Sequence, residues 1–235
     1  KLWGDPAEFE RSNVAGTANL LQAAASASVR RFVQLGAAAV VMGDMAPMLL
    51  PHGDVGHHPP RARVSFGQDT VFETVVVRPP MIWGGGMPVL DHMIETIKAG
   101  QFRWVGSGAQ AMSTAHVDNV CHALELAVGK GRGGEAYFIS DGTDTTLKGL
   151  ISGLLRTRGI APPRASAPLP VAWVMASVME WVWRTFSRQG EPPITRQMLR
   201  LIGAPFTLDI GKAQRELGYQ PEVSPEQGLR AMQGA

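Results

Sequence analysis

The sequence predicts an α/β fold built on a parallel sheet, and three observations carry that prediction. Two apolar runs, Val29 to Leu35 and Phe72 to Val77, read as strands. The second is β-branched and lacks the polar alternation of a sheet with one wet face, as strands buried on both faces do. From residue 72 onward, strand-like runs alternate with segments of helical apolar spacing, the pattern of an α/β chain. Glycine turns at Gly84-Gly85-Gly86 and Gly106-Ser107-Gly108 punctuate that alternation.

The elements follow in order. Asp5-Pro6-Ala7-Glu8 places an N-cap Asp, a Pro at the first helical position and a Glu three residues after the cap. The helix should reach about Ala27, with Val14, Ala18, Leu21 and Ala25 on one face. After the two strands and the triple-glycine turn, a helix from Pro88 to Ala99 is apolar at Val89, Leu90, Met93, Ile94 and Ile97. A strand at Gln101 to Val105, a helix capped by Asp118 and running to Val128, a strand at Ala136 to Ile139 and a helix capped by Thr145 and running to Arg158 complete the alternation. Pro162 to Pro170 is a proline-rich connector. Beyond it lies the apolar segment Val171 to Trp183, and Lys212 to Leu217 forms a last helix with Gly218 as its stop. No internal repeat is visible.

Composition narrows the function classes. With 235 residues, 45% of them apolar and 18% charged, the chain can bury a sizeable core and reads as a soluble globular protein of one or two domains. The formal charge of +2 and pI near 8.9 come from scattered arginines, with no basic stripe interleaved with aromatics, so nucleic acid is not an expected partner. The single cysteine, Cys121, lies in a run of helical apolar spacing and reads as a buried, inert thiol. His52, His57 and His58 have no Cys and no i, i+4 His partner, so a solvated loop is expected there rather than a metal site. No Gly-x-Ser-x-Gly elbow supports a hydrolase. Lys1-Leu2-Trp3-Gly4-Asp5 has neither an initiator Met nor a signal-peptide core, so a cytoplasmic protein is expected, whose start here need not be the natural one.

Five segments in a fixed order carry a resemblance: Asn13-Val14-Ala15-Gly16-Thr17, Arg30-Arg31-Phe32-Val33, Val75 to Gly84, His116-Val117-Asp118-Asn119, and Arg215-Glu216-Leu217-Gly218-Tyr219. Together they resemble the extended short-chain dehydrogenase/reductase family, which includes NAD-dependent epimerases, dehydratases and 3β-hydroxysteroid dehydrogenases. The resemblance implies an incomplete Rossmann-type parallel sheet with a smaller, mainly helical C-terminal substrate region. Residues 1–83 would be the remnant of the dinucleotide-binding domain, and residues 84–235 the substrate region mixed with late Rossmann elements. It implies NAD or NADP as cofactor, although the family's Gly-rich pyrophosphate turn and cofactor selector precede the matching segments and are not found after Lys1. Gly84-Gly85-Gly86 follows a late strand and reads instead as a turn near the substrate.

The same resemblance exposes a gap in the chemistry. The family's acid/base is a Tyr-x-x-x-Lys pair, yet the chain has two tyrosines, Tyr137 and Tyr219, with Asp141 and Val223 four places on. The Ser or Thr that binds the reacting oxygen is replaced by Leu35-Gly36-Ala37-Ala38-Ala39-Val40-Val41-Met42-Gly43. Only 27 residues separate Gly43 from Val71, and the run Pro51 to Arg63 concentrates His, Pro, Gly and Arg without helical periodicity. A reading-frame slip or deletion in place of the catalytic helix would account for this, and a coding sequence in one frame throughout would refute it. Little or no turnover is the expectation.

By family position, Asn13 supports catalysis through a water or backbone carbonyl, while Arg78, Pro79, Pro80, Met81 and Ile82 line the nicotinamide. The bland alternatives are that Asn13 satisfies a backbone group and that Arg78-Pro79-Pro80 merely ends a strand. Gly85, Met112 and His116 fall on the substrate side. Sugar-nucleotide members commonly carry a phosphate-clamping Arg where this chain has Met112. That points to a lipophilic, sterol-like substrate and the 3β-hydroxysteroid dehydrogenase-like branch, with a sugar-nucleotide enzyme or a non-catalytic binding or regulatory relative as alternatives. The helix bearing Trp173, Trp181 and Trp183 is too short to span a bilayer and reads as core, substrate lid or an interfacial membrane contact. Exposed strand edges would invite homo-oligomers.

Overall fold

The computed structural model describes residues 5–41, 72–186, 190 and 192–233. The replaced strand end beyond Val41, the histidine-rich run and the expected site of the catalytic helix lie outside the described residues.

The chain opens with a continuous helical run: α1 (Pro6–Phe9), a π-helical stretch over Glu10–Ala15, and α2 (Gly16–Ser26). The Asp5 side chain caps it by accepting the backbone N–H of Ala7 at 3.0 Å. The π stretch has a local cause. The Phe9 carbonyl, which an α-helix would pair with the Asn13 backbone N–H, accepts the Asn13 side-chain amide at 3.0 Å. The face predicted to pack does not: no residue of α2 is buried, and Val14 is 63% exposed.

The first sheet is parallel throughout, in the order β1 (Arg31–Leu35), β2 (Glu73–Arg78), β6 (Glu135–Phe138), with Val33 opposite Val75 and Val77 opposite Tyr137. The two predicted strands are therefore neighbours. The expected burial on both faces is not met: Val75 and Val77, which share one face of β2, are fully buried, but Thr74, Val76 and Arg78 on the other face are half-buried, and β1 is half-buried and ends on an exposed Leu35. A second sheet joins β3 (Met81–Trp83) parallel to β5 (Ala111–His116), with β7 (Asp144–Thr146) antiparallel on its other side. A two-stranded pair, β4 (Trp104–Val105) with β8 (Ser166–Ala167), supports it from residues 104–167.

Helix α4 (Val117–Lys130) packs Val120, Ala123 and Ala127 on the first sheet beside α8 (Gly211–Leu217), which ends on a left-handed Gly218 as the sequence predicted. Arg31 ties the sheet to the end of α4: its guanidinium pairs with Glu73 on the adjacent strand and donates to the carbonyls of Ala127 and Val128. Helices α3 (Pro88–Lys98) and α5 (Leu147–Thr157) build a second core with Trp83, Trp104 and Met232 from beyond α9 (Pro225–Ala231). There α5 buries Leu150, Ile151, Leu154 and Leu155, each worth about 2 kcal/mol of apolar transfer. A small third cluster, Ala172, Ala176 and Leu199, joins α6 (Leu169–Thr185) to α7 (Arg196–Gly203).

Three expectations are corrected. Cys121 is exposed on α4, because that helix turns Val120 and Ala123 inward instead. The cap of α4 is His116, whose Nδ1 accepts the Asp118 backbone N–H at 3.3 Å, and not Asp118 itself. Thr146 rather than Thr145 caps α5, accepting from the Gly149 N–H at 2.9 Å.

Candidate functional site

In a parallel sheet, ligands bind at the carboxyl ends of the strands. Here the ends of β1 and β2 are laced together: the Gly36 N–H donates to the Val77 carbonyl at 2.8 Å, and the Ala38 N–H donates to the Pro79 carbonyl at 2.9 Å. Arg78 ends β2. Its guanidinium lies 6.0 Å from the Phe138 ring centroid, and its buried Nη1 has no hydrogen-bond partner among the described residues. Burial pushes the Arg78 pKa down. A buried donor without an acceptor is costly, so this position fits a group that brings an oxygen.

Pro79 and Pro80 offer no N–H of their own and turn the chain into β3, where Met81 is half-buried and Ile82 is exposed. Trp83 then stands opposite His116 across the β3–β5 pairing. The two rings meet edge to face at 4.8 Å and 79°. Gly84 has φ +147°, and a Cβ there would lie 2.8 Å from Val117 Cγ1, so only glycine fits between β3 and α4. Gly85 is exposed and faces open space.

Beneath this end of the sheets sits a buried carboxylate, Asp141, that sequence reasoning did not single out. One oxygen accepts the Trp83 indole N–H at 2.7 Å and the Thr114 hydroxyl at 2.8 Å; the other accepts the His116 backbone N–H at 2.6 Å and the Asn119 amide at 2.8 Å. Four donors fill the acceptor capacity of an ionised carboxylate. Asn119 passes the connection on: its oxygen accepts the N–H groups of Glu222 and Val223, and its amide also donates to the Val223 carbonyl. Tyr219 adds a further tie by donating to the Ser140 carbonyl at 2.8 Å. The ends of β3 and β5, the start of α4 and the C-terminal segment are thus held in one knot. The signal for it was weak: Ser140-Asp141-Gly142 closes an apolar strand, and Asn119 follows the noticed His116-Val117-Asp118.

The structure brings Arg78, Pro79, Pro80, Met81, Ile82, Gly85 and His116 to this end of the molecule. Met112 lies at the other end of β5, half-buried, paired with Thr145 and bridged to Phe206. Asn13 lies in a shallow cleft of about 250 Å³ with Glu8, Phe9 and Ser12, and its amide is spent on its own helix.

Both tyrosines are fully buried. Tyr137 donates to Glu216 at 3.0 Å and accepts the Arg132 N–H, and Lys212 lies over its ring at 4.9 Å while bonding to Glu135 and the Ala136 carbonyl. Burial, followed by the neighbouring carboxylates, pushes both phenol pKa values up.

The profile of the NAD dependent epimerase/dehydratase family matches residues 2–67. A 4-hydroxy-2-methyl-3-oxo-4-farnesyl-3,4-dihydroquinoline-1-oxide ketoreductase of Stigmatella aurantiaca is 37% identical over 244 residues, covering 97% of this chain and 72% of that protein. The chain belongs to the NAD-dependent epimerase/dehydratase family. A 2-alkyl-3-oxoalkanoate reductase of Stenotrophomonas maltophilia is 29% identical over 252 residues, covering 99% of this chain and 76% of the relative. Among solved structures, RMD from Pseudomonas aeruginosa complexed with NADPH superposes with a TM-score of 0.60 at 18% identity, over 97% of this chain and 74% of that one, which shows a shared fold.

Membership accounts for the parallel order of β1, β2 and β6 and makes the family's cofactor a nicotinamide dinucleotide.

Proposed function

We propose that this chain carries the substrate side of an NAD(P)-dependent oxidoreductase for a secondary alcohol or ketone on a lipophilic, sterol-like molecule, and that it turns over little or nothing by itself. The observation that carries the second half is the pair of buried tyrosines. A family acid/base needs a phenol whose pKa is lowered by a lysine at its hydroxyl, whereas here burial raises both. Lys212 lies over the face of Tyr137 and donates its hydrogen bonds to the Glu135 carboxylate and the Ala136 carbonyl.

The substrate class rests on the relatives and, by family position alone, on Met112, which the fold sets at the opposite end of β5 from His116. An apolar side chain stands where sugar-nucleotide members carry an arginine, and the two relatives are named for ketones bearing a farnesyl or an alkyl chain. Residues 1–83 contribute the cofactor side and residues 84–235 the substrate side. Arg78 to Ile82 would hold NAD or NADP, which supplies or removes the hydride when bound. Arg78 offers a buried N–H to an oxygen, the two prolines form a wall with no competing donor, and open Gly85 leaves room for the substrate. A binding or regulatory role is what such a chain performs when proton transfer is lacking.

Isothermal titration of the purified chain with a long-chain 3-oxoalkanoate and, separately, with UDP-glucose tests the substrate class. Binding of the oxoalkanoate at least about tenfold tighter, a difference near 1.4 kcal/mol, is expected. Preference for UDP-glucose would move the chain to the sugar-nucleotide branch.

A further inference from the structure

Helix α6 is amphipathic in the wrong sense for a helix of a water-facing surface. Its inward face carries Ala172, Ala176 and Glu180, all buried, and the carboxylate accepts the Arg196 backbone N–H at 2.7 Å and its Nε–H at 2.8 Å. Its outward face carries Val171, Val174, Met175, Val178 and Trp181, and Phe186 follows at its end; these six side chains are 47% to 66% exposed. At 100° per residue the five helical positions fall on one continuous stripe. The only acid on the helix is thus turned inward and neutralised, while its most apolar residues face out.

The charge around the stripe identifies what can cover it. Residues 164–204 contain five arginines, Arg164, Arg184, Arg188, Arg196 and Arg200, against two glutamates, Glu180 and Glu191. Arg164, Arg184 and Arg200 are exposed, and Arg200 lies 5.9 Å from the Trp173 ring centroid. An apolar stripe with large aromatics at one end and a basic surround is the pattern that lies flat in a bilayer interface and is drawn to anionic headgroups. Spanning is excluded for this helix by length: 17 residues reach about 26 Å, short of the roughly 30 Å hydrocarbon core. No helix among the described residues is long and apolar enough to cross a membrane.

We propose that the outward face of α6 seats this chain on an anionic lipid surface, with Val174, Val178 and Trp181 entering the headgroup boundary and the arginines around them meeting lipid phosphates. This proposal goes beyond the oxidoreductase reading and stands without it, since it rests on a different face and needs no cofactor. A chain acting on lipophilic molecules would gain by lying where they dissolve.

The test is flotation of the purified chain with vesicles of phosphatidylcholine mixed with phosphatidylglycerol, and with vesicles of phosphatidylcholine alone, in low and high salt. Two variants accompany it: V174E/V178E on α6 and V14E/L20E on the N-terminal helix, where exposed apolar side chains also occur. The chain and V14E/L20E should float with the anionic vesicles, less in high salt, while V174E/V178E loses at least about tenfold in partitioning with an unchanged melting temperature. Four results would overturn the proposal. They are no flotation, flotation abolished by V14E/L20E instead, V174E/V178E floating as the parent does, and a dimer that V174E/V178E dissociates without any vesicle binding, which would give the stripe to a second copy of the chain.

Discussion

The knot around Asp141 and the helical run Pro6–Ser26 show two ways in which the same chain holds a segment. At Asp141, donors from β3, β5 and α4 converge on one carboxylate, and Asn119 extends the network to residues 222 and 223. In the N-terminal run, three side-chain bonds are local: Asp5 to Ala7, Asn13 to Phe9, Ser26 to Gln22. Its α2 segment buries no residue. Capping and propensity are enough to shape a helix, but burial of a face against other elements is what gives most helices their stability. The region around Asp141 is therefore expected to be sensitive to substitution, and the segment bearing Asn13 tolerant of it.

The widest separation between the two regions should come from Asp141→Ala, which strands four buried donors. A loss of at least about 3 kcal/mol in urea unfolding is expected. A loss below about 1 kcal/mol would mean that the knot holds nothing. Gly228→Ala comes next. A Cβ there would sit 2.7 Å from Trp83 Cη2 and 2.8 Å from His116 Cδ2, and overpacking those rings should cost about 2 kcal/mol. The same variant in a less crowded region would be nearly neutral, so a neutral result would show that the ring pair can move.

Tyr219→Phe removes one buried hydrogen bond and should cost about 1 kcal/mol near neutral pH. It also carries a pH signature. Burial raises the folded-state pKa of Tyr219, so its contribution to stability is complete below the unfolded value of about 10 and is lost as pH rises above it. The parent should therefore lose stability more steeply than the variant in alkaline urea titrations, and parallel curves would contradict this. The smallest effect belongs to Asn13→Ala. Its lost bond is exposed and local, and alanine favours helix, so a change within about 0.5 kcal/mol is expected. A larger loss would show that the π stretch anchors something beyond itself.

Much of this was legible in the sequence wherever one residue type dominated a segment. The β-branched strands, the apolar periods of α3 and α5 and the glycine stop of α8 were read correctly because local chemistry decides them. Not every strand was. Ala111–His116 is mostly small and polar, and it becomes a strand through pairing with β3 and β7. The cap of α4 was misplaced because a histidine ring, accepting through Nδ1, did the work usually given to Asp or Ser. The capping box Ser224 to Gln227, present in the sequence as Ser-Pro-Glu-Gln, was overlooked. At the candidate site, the strand end Arg78 to Ile82 was singled out by resemblance alone. Asp141 was not, since one buried acid in a sequence looks like any exposed one until its donors are placed around it.

The most direct measurement is steady-state oxidation of NADH and NADPH by the purified chain in the presence of a long-chain 3-oxoalkanoate. No rate above the blank is expected, because neither buried tyrosine can exchange a proton with a ketone. A measurable rate that persists in Tyr137→Phe and in Tyr219→Phe would contradict the account and place the acid/base on another residue of this chain.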